Sequence, residues 1–325
     1  SPSRMRPKMV GSAVIMAAYS LLRQPGACGF YTPMMQRSTL LPTELIVEDL
    51  HRWMAEDGLN KGDITSQVVC RADEERTLRL VARESMVLCG LEPLSRGLRS
   101  GGYGLSLDAV LEDGACAVEG DVLATLSGNL ARILGCERTI LNMLGRLAGV
   151  ATCTRGFVDA IAGTSAVITD TRKTMPGLRV WDKYAVVCGG GTSHRMGLHD
   201  AALFKDNHFA GLSLAAMQER LEEAIARAHA DRDLCFVEVE VDTLEQLDVV
   251  FNTSGVDIIL LDNMSLEVMR EAVQRRDSGA PQIKLEASGG ITLDAVRGVA
   301  ETGVDRMAVG ALTRAAVMLD IGLDT

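Results

Sequence analysis

No two of the eight cysteines stand in a CxxC pair, so the spacing that holds zinc or a redox disulfide is missing. Cys28, Cys70, Cys89, Cys116, Cys136, Cys153, Cys188 and Cys235 read as scattered reduced thiols, which points to a reducing compartment, the cytoplasm. Positive net charge is missing as well. The formal charge is -10, which argues against nucleic acid as the main partner, because phosphate backbones need a basic surface. A small anionic substrate is not excluded, since it answers to the local charge of a cleft. Membrane-length apolar runs are absent: Met9–Leu22 is broken by Gly11 and Ser12 and falls short of the roughly 20 residues a span requires. Neither GxxxxGK[ST], nor GxGxxG after a strand, nor HExxH, nor a Gly-x-Ser-x-Gly elbow occurs, which removes the P-loop, dinucleotide, zinc-protease and serine-hydrolase readings.

Acids are also absent from residues 1–43, which carry Arg4, Arg6, Lys8, Arg23 and Arg37. A basic, acid-free start has the look of a targeting segment. The plainer alternative is an extension without a fold of its own. If it is a transit segment, an organelle replaces the cytoplasm. Residues 1–39 are left out of the fold argument.

What is present is a balanced globular composition, 47% hydrophobic and 23% charged over 325 residues, enough for two domains. Leu45, Val47, Leu50 and Trp53 recur at helical spacing between a capping Thr43 and Gly58, predicting a helix over Thr43–Glu56. Arg76–Ser85 alternates as a half-buried strand, and Leu105–Leu126 reads as short strands broken at acid-glycine turns. These predict an α+β domain over 40–127. A long helical stretch then runs to about Ala162, with a break expected near Gly149. From there, domain 128–325 alternates. Strands are expected at Ala166–Asp170, Ala201–Lys205, Phe236–Val241, Asp257–Asp262, Ile283–Ala287 and Arg306–Val309. Helices are expected at Ser213–Ala230, Leu244–Phe251, Leu266–Arg275 and Leu293–Glu301. Such alternation means parallel strands with right-handed crossovers. Six strands fit an incomplete barrel or an open sheet. Polar or glycine-rich tips on nearly every strand favour the barrel, whose strand ends meet at one mouth.

Three constellations carry chemistry. Glu286-Ala287-Ser288-Gly289-Gly290-Ile291 and Val309-Gly310-Ala311 place glycines after the last two strands, where backbone N–H groups can approach a phosphate; tight turns are the simpler use of such glycines. Arg172, Lys173, Arg179, Lys183, Arg195 and Lys205, with His194 and His208, crowd into residues 171–208. Beside glycines and strand ends, that crowd reads as an anion site rather than a solvated face. Glu240 and Asp262 end neighbouring strands, with Glu238 on the same face as Glu240. Acids in so apolar a run need a partner, either an ion pair to Arg172, Lys173 or Lys205, or a Mg²⁺ carried by a diphosphate substrate.

At these residues the chain resembles the quinolinate phosphoribosyltransferase family. The resemblance rests on Glu137-Arg138-Thr139-Ile140-Leu141-Asn142, Asp170-Thr171-Arg172-Lys173-Thr174-Met175-Pro176-Gly177-Leu178-Arg179, Lys183-Tyr184-Ala185-Val186, His194-Arg195-Met196-Gly197-Leu198, Lys205-Asp206-Asn207-His208, Val237-Glu238-Val239-Glu240 and the Glu286–Ile291 string. It runs from about residue 40 to the C-terminus. It implies an N-terminal α/β sandwich domain and an incomplete, seven-stranded α/β barrel. The implied reaction converts quinolinate and phosphoribosyl pyrophosphate to nicotinate mononucleotide, pyrophosphate and CO₂ with Mg²⁺, in NAD biosynthesis. It implies a homodimer or higher homo-oligomer, with Arg138 reaching the site from the partner subunit. Carried over residue by residue, Arg138, Thr171, Arg172, Lys173, His194, Arg195 and Lys205 would surround quinolinate and the phosphates. Glu240 and Asp262 would face the ribose and Mg²⁺, directly or at one remove, and Ser288, Gly289, Gly290 and Gly310 would hold the 5′-phosphate. The catalytic set implied is Arg138, Arg172, Lys173, Lys205, Glu240 and Asp262. Met175 and the Thr192-Ser193 pair depart from the family pattern without removing a charge. Two rivals share these residues: a paralogue on the same fold with another acceptor, and a non-catalytic metabolite-binding protein.

Overall fold

The computed structural model describes residues 40–231 and 234–325. The basic segment expected to be a targeting or extension sequence, 1–39, lies outside the described residues. The chain forms two compact units. One contains the described residues up to Gly149 together with Met318–Thr325, and the other is Val150–Val317.

In the first unit, helix α1 spans Thr43–Glu56 and buries Leu45, Ile46, Leu50 and Met54. These positions form one helical stripe. Its cap is Pro42 rather than Thr43, whose hydroxyl instead accepts from Arg96 Nη1 at 3.3 Å. A short helix α2, Ile64–Val69, is capped by the Asp63 carboxylate. Strand β1 is Glu75–Ala82, β2 Met86–Val87, α3 Leu91–Ser100, β3 Leu105–Ala109, β4 Cys116–Ala117 and β5 Val122–Asn129. The last strand of the chain, β12, Ile321–Asp324, returns to this unit. The sheet order is β12-β1-β5-β3, with both of β1's ladders antiparallel. The sequence assigned 128–325 to one domain; the compact units divide at 149/150, and the last residues fall with the first unit.

Helix α4, Leu130–Ala160, is continuous through Gly149, where a break is expected from the glycine. Gly149 is buried among neighbours that are buried too, from Leu147 to Ala151. Packing on that scale outweighs the roughly 1 kcal/mol a helical glycine costs.

The second unit holds β6 Val167–Thr169, α5 Arg179–Cys188, β7 Ala202–Phe204, α6 Asp206–Phe209, α7 Leu214–Asp231, β8 Val237–Val241, α8 Leu244–Phe251, β9 Ile258–Asp262, α9 Leu266–Gly279, β10 Lys284–Ser288, α10 Val296–Ala300, β11 Arg306–Ala308 and α11 Ala311–Arg314. All six expected strands are present within a residue or two. Their order is β6-β11-β10-β9-β8-β7, and every pairing is parallel. The last strand, β11, thus pairs with the first, β6, as in a barrel. Beyond β6 the seventh position is a single parallel bridge from Thr169 to Thr192. Hydrogen bonding does not close the ring between Thr192 and β7 among the described residues. The reason lies in the chain after Thr192. The amides of His194, Arg195, Met196 and Gly197 are taken by Asp170, by the His194 ring and by Asp200, so they cannot form a ladder. The result is an α/β ring left open on one side.

Candidate active site

The period of two along parallel strands puts Glu238 and Glu240 on one face of β8, Leu260 and Asp262 on one face of β9, and Glu286 and Ser288 on one face of β10. Register sets their heights: Glu240 pairs with Leu260 and Leu260 with Glu286, while Asp262 pairs with Ser288 one step nearer the strand ends. Two layers follow, a buried ionic layer below and a mouth above.

In the mouth, Arg172, Arg195 and Lys205 line one cleft of about 990 Å³, together with His199, Phe204, His208, Phe209 and, from α7, Arg220 and Arg227. That volume is at the upper end for small-molecule sites. The Arg172 Nε is buried with no hydrogen-bond partner among the described residues. Burial, and then the Arg172 charge, pull the Arg195 guanidinium below its usual range. Two cations that repel one another while facing a cleft form a site for an anion. Lys205 Nζ pairs with Glu240, the ion-pair partner foreseen for that acid.

Beside this cleft the loop after β6 is fixed by two hydroxyls, one its own and one from α11. Thr171 Oγ1 accepts the Lys173 N–H at 3.0 Å, and Thr313 Oγ1 donates to the Lys173 carbonyl at 2.8 Å. Gly310 stands against the Lys173 stem, where an added Cβ would meet Cδ at 3.1 Å. Thr171, Lys173 and Gly310 are therefore neighbours. Gly289 has φ +101°, and a Cβ there would meet Asn263 Oδ1 at 2.1 Å; Asn263 is itself held in the left-handed region, at φ 53°. Nothing within 4 Å faces a Cβ on Gly290, so space lies open above that backbone. The helix expected from Leu293 begins later and is short, Val296–Ala300. The glycine loop thus offers backbone amides rather than the end of a long helix.

Near the Asp262 tip the sequence reading missed two acids. Burial, then the charges of Asp206 and Asp262, raise the Asp242 carboxyl. Its position was legible, because 238, 240 and 242 continue one strand face. Carboxylates at a strand tip can serve a hard divalent cation that brings phosphate oxygens as its other ligands, but Asp206, Asp242 and Asp262 do not by themselves come close enough to bracket one. Arg220 and Arg227 were also missed, because on an amphipathic helix they look like solvated positions.

The lower layer carries other surprises. Lys183, counted with the anion site, is fully buried and pairs with Asp170, donating also to the His194 carbonyl at 3.1 Å. It braces the loop and does not reach the cleft. His194 is 6% exposed. Its Nε2 lies 3.0 Å from Glu238 Oε2 and 3.3 Å from Glu286 Oε1, as off-line ionic contacts, because neither oxygen is aligned for a hydrogen bond. Arg306 Nε donates to Glu286 Oε2 at 2.7 Å.

Burial disfavours a charged imidazole, whereas the charges of Glu286 and Glu238 favour one. Burial works against Glu286 too, yet its cationic neighbours, Arg306 among them, hold it low. Glu238 is raised by burial and by Glu286. One observation decides how the ring is held. The Arg195 N–H points at His194 Nδ1 at 2.7 Å, so that nitrogen accepts and the ring turns Nε2 towards the two acids. The three side chains could bracket a metal ion, but the Arg306 guanidinium already neutralises Glu286. Arg138 lies on α4 in the first unit, with its side chain exposed.

Residues 150–324 match the family described as quinolinate phosphoribosyl transferase, C-terminal domain, and residues 63–148 match its N-terminal domain. A nicotinate-nucleotide pyrophosphorylase (carboxylating) of Mycobacterium leprae is 43% identical over 279 residues, covering 85% of this chain and 96% of its own. A quinolinate phosphoribosyltransferase (decarboxylating) of Nicotiana tabacum, named as mitochondrial, is 33% identical, covering 87% of this chain and 82% of its own. The solved nicotinate-nucleotide pyrophosphorylase of Francisella tularensis superposes with a TM-score of 0.77 at 34% identity, covering 87% of this chain and 97% of that one.

Proposed function

The chain belongs to the quinolinate phosphoribosyltransferase family, and from that premise we propose how its own residues carry out the decarboxylating transfer. It is a pentosyltransferase of NAD biosynthesis, converting quinolinate to nicotinate mononucleotide. The observation that carries the site assignment is Arg172 and Arg195, neither of them in an ion pair among the described residues, in one cleft with Lys205. Two carboxylates on one small ring need separated cationic contacts, and these three side chains supply them.

Phosphoribosyl pyrophosphate is the second substrate. Ser288, Gly289, Gly290 and Gly310 cradle its 5′-phosphate through backbone amides, with Thr171 and Lys173 alongside. Mg²⁺ bound at Asp262 and its acid neighbours would neutralise the diphosphate leaving group. As the C1′–O bond breaks, positive charge grows on the ribose, and Glu240, paired with Lys205, stabilises it by facing it. The quinolinate nitrogen takes the C1′ position and becomes cationic. The bond to the adjacent carboxylate then breaks, its electrons pass into the ring, CO₂ leaves and the ring carbon takes a proton. Holding the reactants in line is the protein's main task, which requires no nucleophile of its own.

A homo-oligomer in which the partner subunit lends the residue equivalent to Arg138 is part of this proposal; its support is the exposed position of that side chain on α4. Cytoplasmic placement is also part of it. Import with loss of 1–39 would replace that placement, as the names of the tobacco and Arabidopsis relatives do for those proteins. No helix among the described residues is long and apolar enough to cross a membrane.

The test is release of labelled CO₂ from quinolinate with phosphoribosyl pyrophosphate and Mg²⁺, run beside nicotinate. One CO₂ per nucleotide from quinolinate, and no nucleotide from nicotinate, is expected. Preference for nicotinate would favour the paralogue, and no product from either would favour the binding protein.

A further inference from the structure

The family resemblance sets His194 against the substrate, whereas both of its ring nitrogens are engaged inside the chain. Nδ1 accepts the Arg195 amide at 2.7 Å. Nε2 faces Glu238 and Glu286, and the ring sits edge-on to Phe236 with centroids 5.3 Å apart. Arg195 lines the cleft and His194 does not.

We propose that His194, Glu238 and Glu286 are positioning residues, a buried wedge that fixes the Arg195 backbone and so aims its guanidinium at the dicarboxylate. The proposal rests on the cleft being the quinolinate site. Its parts are anchored from below. Arg306 holds Glu286 from the neighbouring strand and lies over the Phe236 ring at 5.9 Å. His194, the residue before Arg195, is gripped on both sides of its backbone, its N–H by Asp170 at 2.9 Å and its carbonyl by Lys183 at 3.1 Å. Past Arg195, Asp200 holds the amides of Met196 and Gly197. The guanidinium itself donates to the Ala201 carbonyl at 3.3 Å. Nearly every backbone group around Arg195 is thus tied down, as suits a charge that must be placed before its ligand arrives. The imidazole is the tie that joins this segment to the acids of β8 and β10.

Two isosteric replacements separate positioning from contact. His194→Asn leaves an acceptor where Nδ1 stands, and His194→Gln leaves a polar group where Nε2 stands. The wedge predicts that Asn keeps most of kcat/KM for quinolinate. Gln should lose roughly twofold to tenfold, the range for a hydrogen bond between neutral groups, through KM for quinolinate and not through KM for phosphoribosyl pyrophosphate. Glu286→Gln should lower the same parameter no more than His194→Asn does, and change nothing further in the His194→Asn background, because both replacements remove the same tie. The reverse order of Asn and Gln, or losses that multiply, overturns the proposal in favour of direct contact. If Glu286→Gln strands Arg306 and does not fold, Glu238→Gln takes its place with the same reading. Ring ¹⁵N shifts of His194 in the free wild-type protein supply a readout independent of turnover. A lone pair on Nδ1 and a proton on Nε2 are expected, and a protonated Nδ1 would reject the wedge. An enzyme inactive on quinolinate would sink the function assignment while leaving this last result standing.

Discussion

Arg172, Lys205, Glu240 and Gly289 were readable because their residue types are costly or unusual at the places they hold. A charged side chain at the end of an apolar strand, or a glycine pair before a turn, has few cheap explanations. Lys183 was misread for the opposite reason: sequence shows that a residue is basic but not whether its head faces water or a buried acid. Lys183 sits beside Asp170 at 0% exposure, and only the fold reveals it. The backbone at Gly289 yields a direct prediction. Gly289→Ala forces a side chain into Asn263 at a left-handed φ. Stability should fall by about 1–3 kcal/mol, the cost of such strain, and KM for phosphoribosyl pyrophosphate should rise while that for quinolinate stays near its starting value. Thermal melts and initial rates check both; an unchanged melting point with unchanged KM would reject the cradle.

Elements with alternating or amphipathic patterns were recovered, α8 at its expected ends and β8 within a residue. Of the misses, α3 has an amphipathic face, Leu91, Leu94 and Leu98, that was passed over, while α5 and β12 lack such a pattern. Helix α5 is buried from Trp181 to Val186, so it shows no wet face from which a period could be read. Strand β12 has four residues with a glycine among them, too short for periodicity. Its partner is far off in sequence: Arg79 pairs with Asp324 and Ala82 with Ile321. The same return explains a glycine inside α4. At Gly145 a Cβ would lie 2.4 Å from the Leu319 carbonyl, and the Leu319 amide donates to Gly145 at 3.1 Å, so the helix admits the tail only where it has no side chain. Removing residues 320–325 should therefore cost the first unit roughly 2–5 kcal/mol, at about 1 kcal/mol for each lost backbone hydrogen bond. Asp324→Ala alone should change stability little, since its pair with Arg83 is partly exposed and such pairs contribute little. Equal urea midpoints for the truncated and full chains would contradict the structural role of β12.

At the scale of the molecule, a chain of net charge -10 gathers Arg172, Arg195, Lys205, Arg220 and Arg227 around one cleft. Parallel strands make this possible. Their carboxyl ends share one rim, so residues 172, 240, 262 and 289 all stand on that rim although up to 117 positions separate them. The open side of the ring, between Thr192 and β7, could not be read from the sequence, since it depends on which amides the loop after Thr192 gives away. Whether the cleft is the dicarboxylate site is best asked by calorimetric titration of quinolinate into wild type, Arg172→Ala and Arg195→Ala, with circular dichroism to verify folding. Binding should weaken in each variant by about 30-fold to several thousandfold, the penalty for truncating one partner of a buried charge contact. Folded variants that bind quinolinate as tightly as wild type would contradict the assignment.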